Sequence, residues 1–449
     1  MGAAVRDSET ATERLLINRN FALLWAGQTL SVLGDFVFQT TLVVWIASEL
    51  APDRSWTPLA VSGLLVASTA PILLIGPVAG VLVDRWRDKR AVMVRANLAS
   101  ALLVLALVPA TDLVRMPGIG GSLPLAWQLG AIFAVVFAVN VVGQFFGPAA
   151  AVTLRDVVPE SDIARATSRN QTSTSLALLV GPPLAAPLLF AFGAQWALLI
   201  NAGSFLVAML TAHALRLPAS SEQPIAAAAE QKFLSAFMEG LRFFRRSRTL
   251  VVLAVSIVIV VFGVGALNTL DVFFVTRNLG ASATYYGVLG AAEGCGMLLG
   301  SVLAGMVAER VRLERMIWGS LALGGLIIIV YARTTSLVSG ALAIFLLGLV
   351  IPAVNVSIGP LMLRVTPREF VGRVSATIRP LQNASSILGM LLAGALYGTS
   401  FRGFGGRVLG VQVGPLDTIF TGVGLLCLIG AAFARANLDC DRGAHAASG

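Results

Sequence analysis

Two carboxylates, Asp35 and Glu293, stand near the middle of long apolar runs. An acid at the centre of a bilayer-spanning helix costs about 2.5–3.5 kcal/mol on insertion scales, so it should face a wet cavity rather than lipid. Gln28, Ser31 and Gln39 follow helical spacing with Asp35, which places all four on one face. Glu293 lies among Gly290, Gly294 and Gly296, with Tyr286 and Met297 on its own face. The missing side chains let water or another helix approach it. A carboxylate in such a setting can exchange a proton near neutral pH or attract a cation. Asp35 and Glu293 are therefore the expected proton or cation coupling residues. The other use of such an acid is a structural hydrogen bond to neighbouring helices. Asp271 and Asp417, nearer the ends of their runs, are expected to be solvated or to cap helices.

Little else in the chain suits covalent or metal chemistry. The two histidines are His213, near a helix end, and His445, in the tail. Cys295, Cys427 and Cys440 make neither metal nor disulfide spacing. There is no Ser/His/Asp or Cys/His set and no phosphate loop, so neither an enzyme nor a resident metal or cofactor is expected. The net charge of +9 could suggest nucleic acid. The basic residues instead fall in short clusters between apolar runs, so no nucleic-acid partner is expected.

A charged turn repeats. The run from Gly80 to Arg90 recurs 225 positions later, from Gly305 to Arg315. Glycine, acid and three arginines coincide at 80/305, 84/309, 85/310, 87/312 and 90/315. The segment Val158-Pro159 through Arg165 to Ser168 similarly matches Thr366-Pro367 through Arg373 to Ala376. Two such pairs imply a duplicated chain.

The elements that carry these residues follow from composition. Of 449 residues, 57% are hydrophobic and 12% charged, which is a membrane composition. A spanning helix needs roughly 20 mainly apolar residues. Twelve runs qualify: 21–47, 58–83, 91–113, 125–150, 171–192, 196–216, 249–275, 285–308, 314–333, 337–361, 374–399 and 415–436. The first is too long for a cleaved leader and is expected to remain as a membrane helix. The fold class is all-α and polytopic, as two parallel six-helix repeats. The expected divisions are 1–20, an N-terminal segment; 21–216, the first half; 217–248, a linker; 249–436, the second half; and 437–449, a tail. The linker's first residues include Pro218 through Pro224, and Phe233 to Phe244 then follow amphipathic helical spacing. With the N-terminus inside, Lys and Arg divide 24 cytoplasmic to 6 outside, so both termini are expected in the cytoplasm. Glycine pairs Gly76/Gly80, Gly290/Gly294 and Gly296/Gly300 are small-residue spacings for close helix packing.

The chain resembles the major facilitator superfamily over nearly all its length. Within it, the chain is similar to the bacterial drug and macrolide efflux branch, which also includes siderophore exporters. The resemblance rests on Gly80-x-x-x-Asp84-Arg85-x-x-x-Lys89, on Phe21 through Gln28 to Gly34-Asp35, and on Leu154 through Ser168 to Gly181-Pro182. Arg87 replaces the turn motif's usual glycine, and Ala185 and Ala186 replace glycines of the helix-five antiporter motif. Asn140 and Gln144 stand where the family's helix-four arginine motif would be.

The resemblance implies a functional monomer of the bacterial cytoplasmic membrane. It would work by alternating access, with protons and a small amphipathic substrate as its partners. Gly80, Asp84, Arg85 and Lys89, with Gly305, Glu309 and Arg310 in the copy, would form a cytoplasmic gate. Arg379, one turn into the eleventh segment, would be the partner of Asp84. Gln28, Gln39, Asn140, Gln144, Asn268, Asn355 and Gln382 would face the substrate cavity. So few fixed polar groups suit a drug-like or macrolide-like molecule exported against protons. A siderophore or secondary-metabolite exporter, and a lysophospholipid flippase, are the alternatives.

Overall fold

The computed structural model describes residues 17–110, 124–216, 242, 247–366, 371–401, 406–408 and 411–438. All twelve expected runs are helical within these bounds. In chain order the helices are α1 Arg19–Trp45, α2 Thr57–Leu74, α3 Gly76–Arg85, α4 Lys89–Leu105, α5 Leu125–Val157, α6 Ile163–Phe192 and α7 Ala194–His213. They continue with α8 Arg248–Arg277, α9 Tyr286–Ala308, α10 Leu313–Tyr331, α11 Leu337–Val365, α12 Val371–Ala395 and α13 Pro415–Leu438. A hydrocarbon layer offers backbone groups no water, and a helix satisfies them within one segment.

Three local features depart from the expectation. The second run is two helices, because Ile75 ends α2 and Gly76-Pro77 starts α3. A proline in the first turn has no N–H to lose, whereas in mid-helix it breaks the ladder. The π-helical turns Ile46–Leu50 and Leu396–Ser400 extend α1 and α12. Between α12 and α13, β1 Gly406–Val408 pairs antiparallel with β2 Val411–Val413, Arg407 opposite Gln412. The amphipathic helix expected within 217–248 lies almost wholly outside the described residues, as do 1–16 and 439–449.

Ten of the helical segments are long and apolar enough to cross a membrane. The two remaining runs are α4, only 17 residues long and carrying Lys89, Arg90 and Arg95, and α12, which carries Arg379, Gln382 and Asn383. Leu210, Val302, Val338 and Ile429 are more than half exposed, as lipid-facing side chains must be. Small and polar side chains such as Asn97, Ser100, Thr153, Asn201 and Ser204 are buried instead.

The chain forms two compact units. One contains residues 1–42 and 70–225; the other contains 43–69 and 226–449. In the first, α1 lies against α7 at Gly34, where a Cβ would stand 2.5 Å from Ser204 Oγ. It lies against α6 at Gly181, where a Cβ would stand 2.7 Å from that of Phe36. In the second, Gly389 of α12 abuts the Phe262 carbonyl of α8, and Gly296 and Gly300 of α9 abut the Phe345 and Leu349 carbonyls of α11. The Gly296/Gly300 spacing thus packs helices as expected. Gly80 does not: no atom would meet a Cβ there within 4 Å.

Candidate functional site

In the first unit, the α1–α7 approach sets the surroundings of Asp35. Gly34 lets α1 close on Asn201 and Ser204, which brings the Asn201 side chain beside Asp35 with its Nδ2 unpartnered among the described residues. Asn201 is fully buried and holds the Ser204 hydroxyl, which donates to its backbone oxygen at 2.8 Å. Asp35 itself is half-buried, as are Gln28 and Gln39 on the same helix. On α5, the Asn140 amide donates to the Val136 carbonyl at 2.9 Å, and the Gln144 amide donates to the Asn140 carbonyl at 3.1 Å. Both amides therefore bond within their own helix, not across to another as single polar groups in membranes often do. Gly181, the glycine of the Gly-Pro pair, is where α6 meets α1 one residue from Asp35. Asn201 was not legible as a site residue; only its position in an apolar run hinted at it.

In the second unit, Glu293 is half-buried at the crossing of α9 and α11. Gly348 of α11 makes that crossing possible, since a Cβ there would stand 2.5 Å from the Glu293 carbonyl oxygen. Asp271 corrects the expectation of a solvated or capping acid. It is 8% exposed, and its Oδ1 accepts a hydrogen bond from the Tyr331 hydroxyl at 3.0 Å. Its place six residues inside α8 was the signal available for it. Asp417 does cap: its Oδ2 accepts from the Gly414 backbone N–H at 2.8 Å, and its Oδ1 accepts from the Asn278 amide. Asn268 and Gln382 are half-buried, whereas Asn355 is exposed.

The charged turns occupy equivalent places in the two repeats. One joins α3 to α4 and the other joins α9 to α10. Asp84, Arg85, Glu309 and Arg310 are exposed, and Gly305, like Gly80, faces open space. Lys89 has a local task. Its ammonium donates to the carbonyls of Val83 at 2.5 Å, Trp86 at 2.6 Å and Asp84 at 3.2 Å. It thereby caps α3, whose last carbonyls lack helical partners. Asp88 caps the start of α4 by accepting from the Ala91 N–H at 2.8 Å. Arg90 ties the turn to the segment just after α7 through the Leu215 carbonyl at 3.2 Å. Arg379 is exposed on α12.

The sequence points to one family. The transmembrane secretion effector family matches residues 13–399. The "Uncharacterized MFS-type transporter YfiS" of Bacillus subtilis (strain 168) is 26% identical over 83% of this chain and 85% of that protein. Macrolide efflux protein A of Streptococcus pyogenes is 20% identical over 83% of this chain and 88% of its own length. Multidrug efflux pump Tap of Mycolicibacterium fortuitum is 27% identical over 77% and 83%. Among solved structures, the nucleoside transporter NupG superposes with a TM-score of 0.73 at 11% identity, covering 93% of this chain and 99% of that one. That likeness is one of fold alone. The chain is a multi-pass membrane protein that belongs to the transmembrane secretion effector family of major facilitator transporters.

Proposed function

We propose that the chain is a proton-coupled exporter of small amphipathic molecules, working by alternating access in the bacterial cytoplasmic membrane with both termini inside. The observation that carries this reading is one half-buried acid in mid-helix in each unit, Asp35 and Glu293. A carboxylate kept from water in a membrane helix is costly and marks an ion or substrate pathway. The relatives named for macrolide and multidrug efflux support export as the direction and drug-like molecules as the cargo. Asp35 and Glu293 exchange protons or meet a cationic group. Gln28, Gln39, Asn140, Gln144, Asn268, Asn355 and Gln382 supply the few polar contacts of an otherwise apolar cavity. Asp84 and Arg85, with Arg379 and the repeat pair Glu309 and Arg310, latch and release the cytoplasmic side. Such a latch must be worth only a few kcal/mol, because it forms in one state and breaks in the other.

The test is export of erythromycin or ethidium from inverted vesicles or proteoliposomes under an imposed pH gradient. The wild-type protein is expected to use the gradient. Asp35→Asn and Glu293→Gln are each expected to reduce gradient-driven export about tenfold or more, a barrier change of at least ~1.4 kcal/mol. Normal export by both variants would remove these acids from coupling. Export indifferent to the gradient would remove antiport. Transport of a siderophore or a lysophospholipid, but neither drug, would reassign the cargo.

A further inference from the structure

The second unit holds a buried acid that this transport reading leaves unused. Asp271 is 8% exposed, and its carboxylate takes the Tyr331 hydroxyl at 3.0 Å. Tyr331 is fully buried, with its ring centroid 4.5 Å from that of Phe274 and 5.6 Å from that of Phe420. That packing fixes where the hydroxyl points. The helices α8 and α9 are consecutive and run in opposite directions. Asp271 is six residues before Arg277, which ends α8, and Glu293 is seven residues after Tyr286, which starts α9. At about 1.5 Å per residue, both acids lie about 10 Å in from the same end. Asp271, Glu293, Tyr286 and Tyr331 are within electrostatic reach of one another.

The neighbouring cations are engaged elsewhere. Arg277 pairs with Asp53 at 3.2 Å and lies over the Tyr397 ring at 5.8 Å. Arg333 donates to the Thr421 hydroxyl at 3.1 Å. Among the described residues, the titratable neighbours of Asp271 are thus Glu293 on α9, Tyr286 at the start of α9, and Tyr331 at the end of α10.

Two carboxylates that interact away from water do not both ionise cheaply, and they titrate as a pair. A hydroxyl donor favours the charge on the carboxylate that accepts it. We propose that Asp271 and Glu293 form one proton-sharing site, in which the two carboxyl groups hold a single proton between them and Tyr331 fixes Asp271 in place. Tyr331 is then a positioning residue for the pair. The idea rests on the proton-coupled reading above and deepens it. Release of the shared proton leaves two adjacent negative charges. A cationic group of the cargo relieves them, so proton and cargo compete for one place.

The test reads the pair without relying on transport. Infrared titration of the purified full-length protein follows the carboxylic-acid carbonyl band, with Glu293→Gln used to assign the Glu293 component. In Asp271→Asn the pH at which that component changes is expected to shift by about one unit or more from wild type, the coupling that defines an interacting pair. Tyr331→Phe, which keeps the ring and removes only the donor, is expected to shift it as well. An unchanged Glu293 titration in both variants overturns the proposal. If Asp271→Asn does not fold, Tyr331→Phe alone decides, by the same readout. Ethidium transport in proteoliposomes separates the two levels. A wild-type protein that ignores the pH gradient while the infrared shifts persist would overturn proton-coupled export and leave the carboxylate pair standing.

Discussion

At the scale of single residues, the charged turn divides into parts with different work. Arg87 is exposed at the turn, and Lys89 is bound to three carbonyls at the end of α3. Asp84 is exposed at the last turn of α3, where its carboxylate is open to a partner. Asp84→Asn is therefore expected to lower export with insertion and thermal stability unchanged. Arg87→Ala is expected to do little to either. Lys89→Ala removes a charge-assisted cap and is expected to lower stability by about 1 kcal/mol, measured by thermal unfolding in detergent. A loss of transport in Lys89→Ala with full stability would return that residue to the gate. Sequence spacing found all three residues but gave Asp84 and Lys89 one role, in the gate. Spacing reports which side chains lie near a turn; it does not report whether the turn's own carbonyls have already taken them. Asp271 was misjudged for the related reason that helix position gives depth, while the Tyr331 hydroxyl that meets it comes from a distant segment.

At the scale of helices, the apolar runs were legible because a bilayer demands a fixed length of apolar helix. Their ends and breaks were less so. Pro71 sits inside α2, whereas Gly76-Pro77 ends one helix and begins another. Glycine spacing alone did not separate packing positions from open ones. Gly296 and Gly300 touch the backbone of α11, but Gly80 and Gly305 touch nothing within 4 Å. Substitutions should read out this difference. A small apolar cavity of about 30 Å³ lies among α8, α10, α11 and α13, lined by Gly263, Gly324, Leu347, Ile351 and Cys427. A Cβ on Gly324 would meet Leu347 at 3.8 Å and Val350 at 4.0 Å, ordinary contacts. Gly324→Ala is expected to raise stability by about 1 kcal/mol, from helix propensity alone. Gly389→Ala drives a Cβ into the Phe262 carbonyl oxygen. It is expected to cost about 1–3 kcal/mol through overpacking. Thermal unfolding of the two variants should move in opposite directions; equal shifts would mean that the α8–α12 crossing is not the tight one.

At the scale of the whole chain, the duplication was written in two pairs of matching loops, and the helices fall where that duplication requires. Residues 43–69, encoded in the first repeat, belong to the second compact unit. The Ser62 hydroxyl donates to the Met390 carbonyl at 2.8 Å, and Gly394 leaves no room for a side chain against Ser62 and Pro58. Asp53, held at a φ of 55°, pairs with Arg277 nearby. That surface pair is exposed and worth at most about 1 kcal/mol, so the contact of α2 with α12 carries the attachment. On the proposed alternating-access reading, one repeat moves against the other, and a contact between segments of different repeats opens once per cycle. Cysteines at Ser62→Cys and Gly394→Cys test this, in a background with Cys295, Cys427 and Cys440 replaced. A Cβ at Gly394 would stand 3.1 Å from that of Ser62 and 2.8 Å from the Pro58 carbonyl oxygen, so α2 and α12 must part slightly to seat the disulfide. Oxidation is expected to stop ethidium export, and reduction to restore it. Full export with the crosslink shown intact on a gel would mean that this end of α2 travels with α12 throughout the cycle, and that the moving boundary lies elsewhere in α1 and α2.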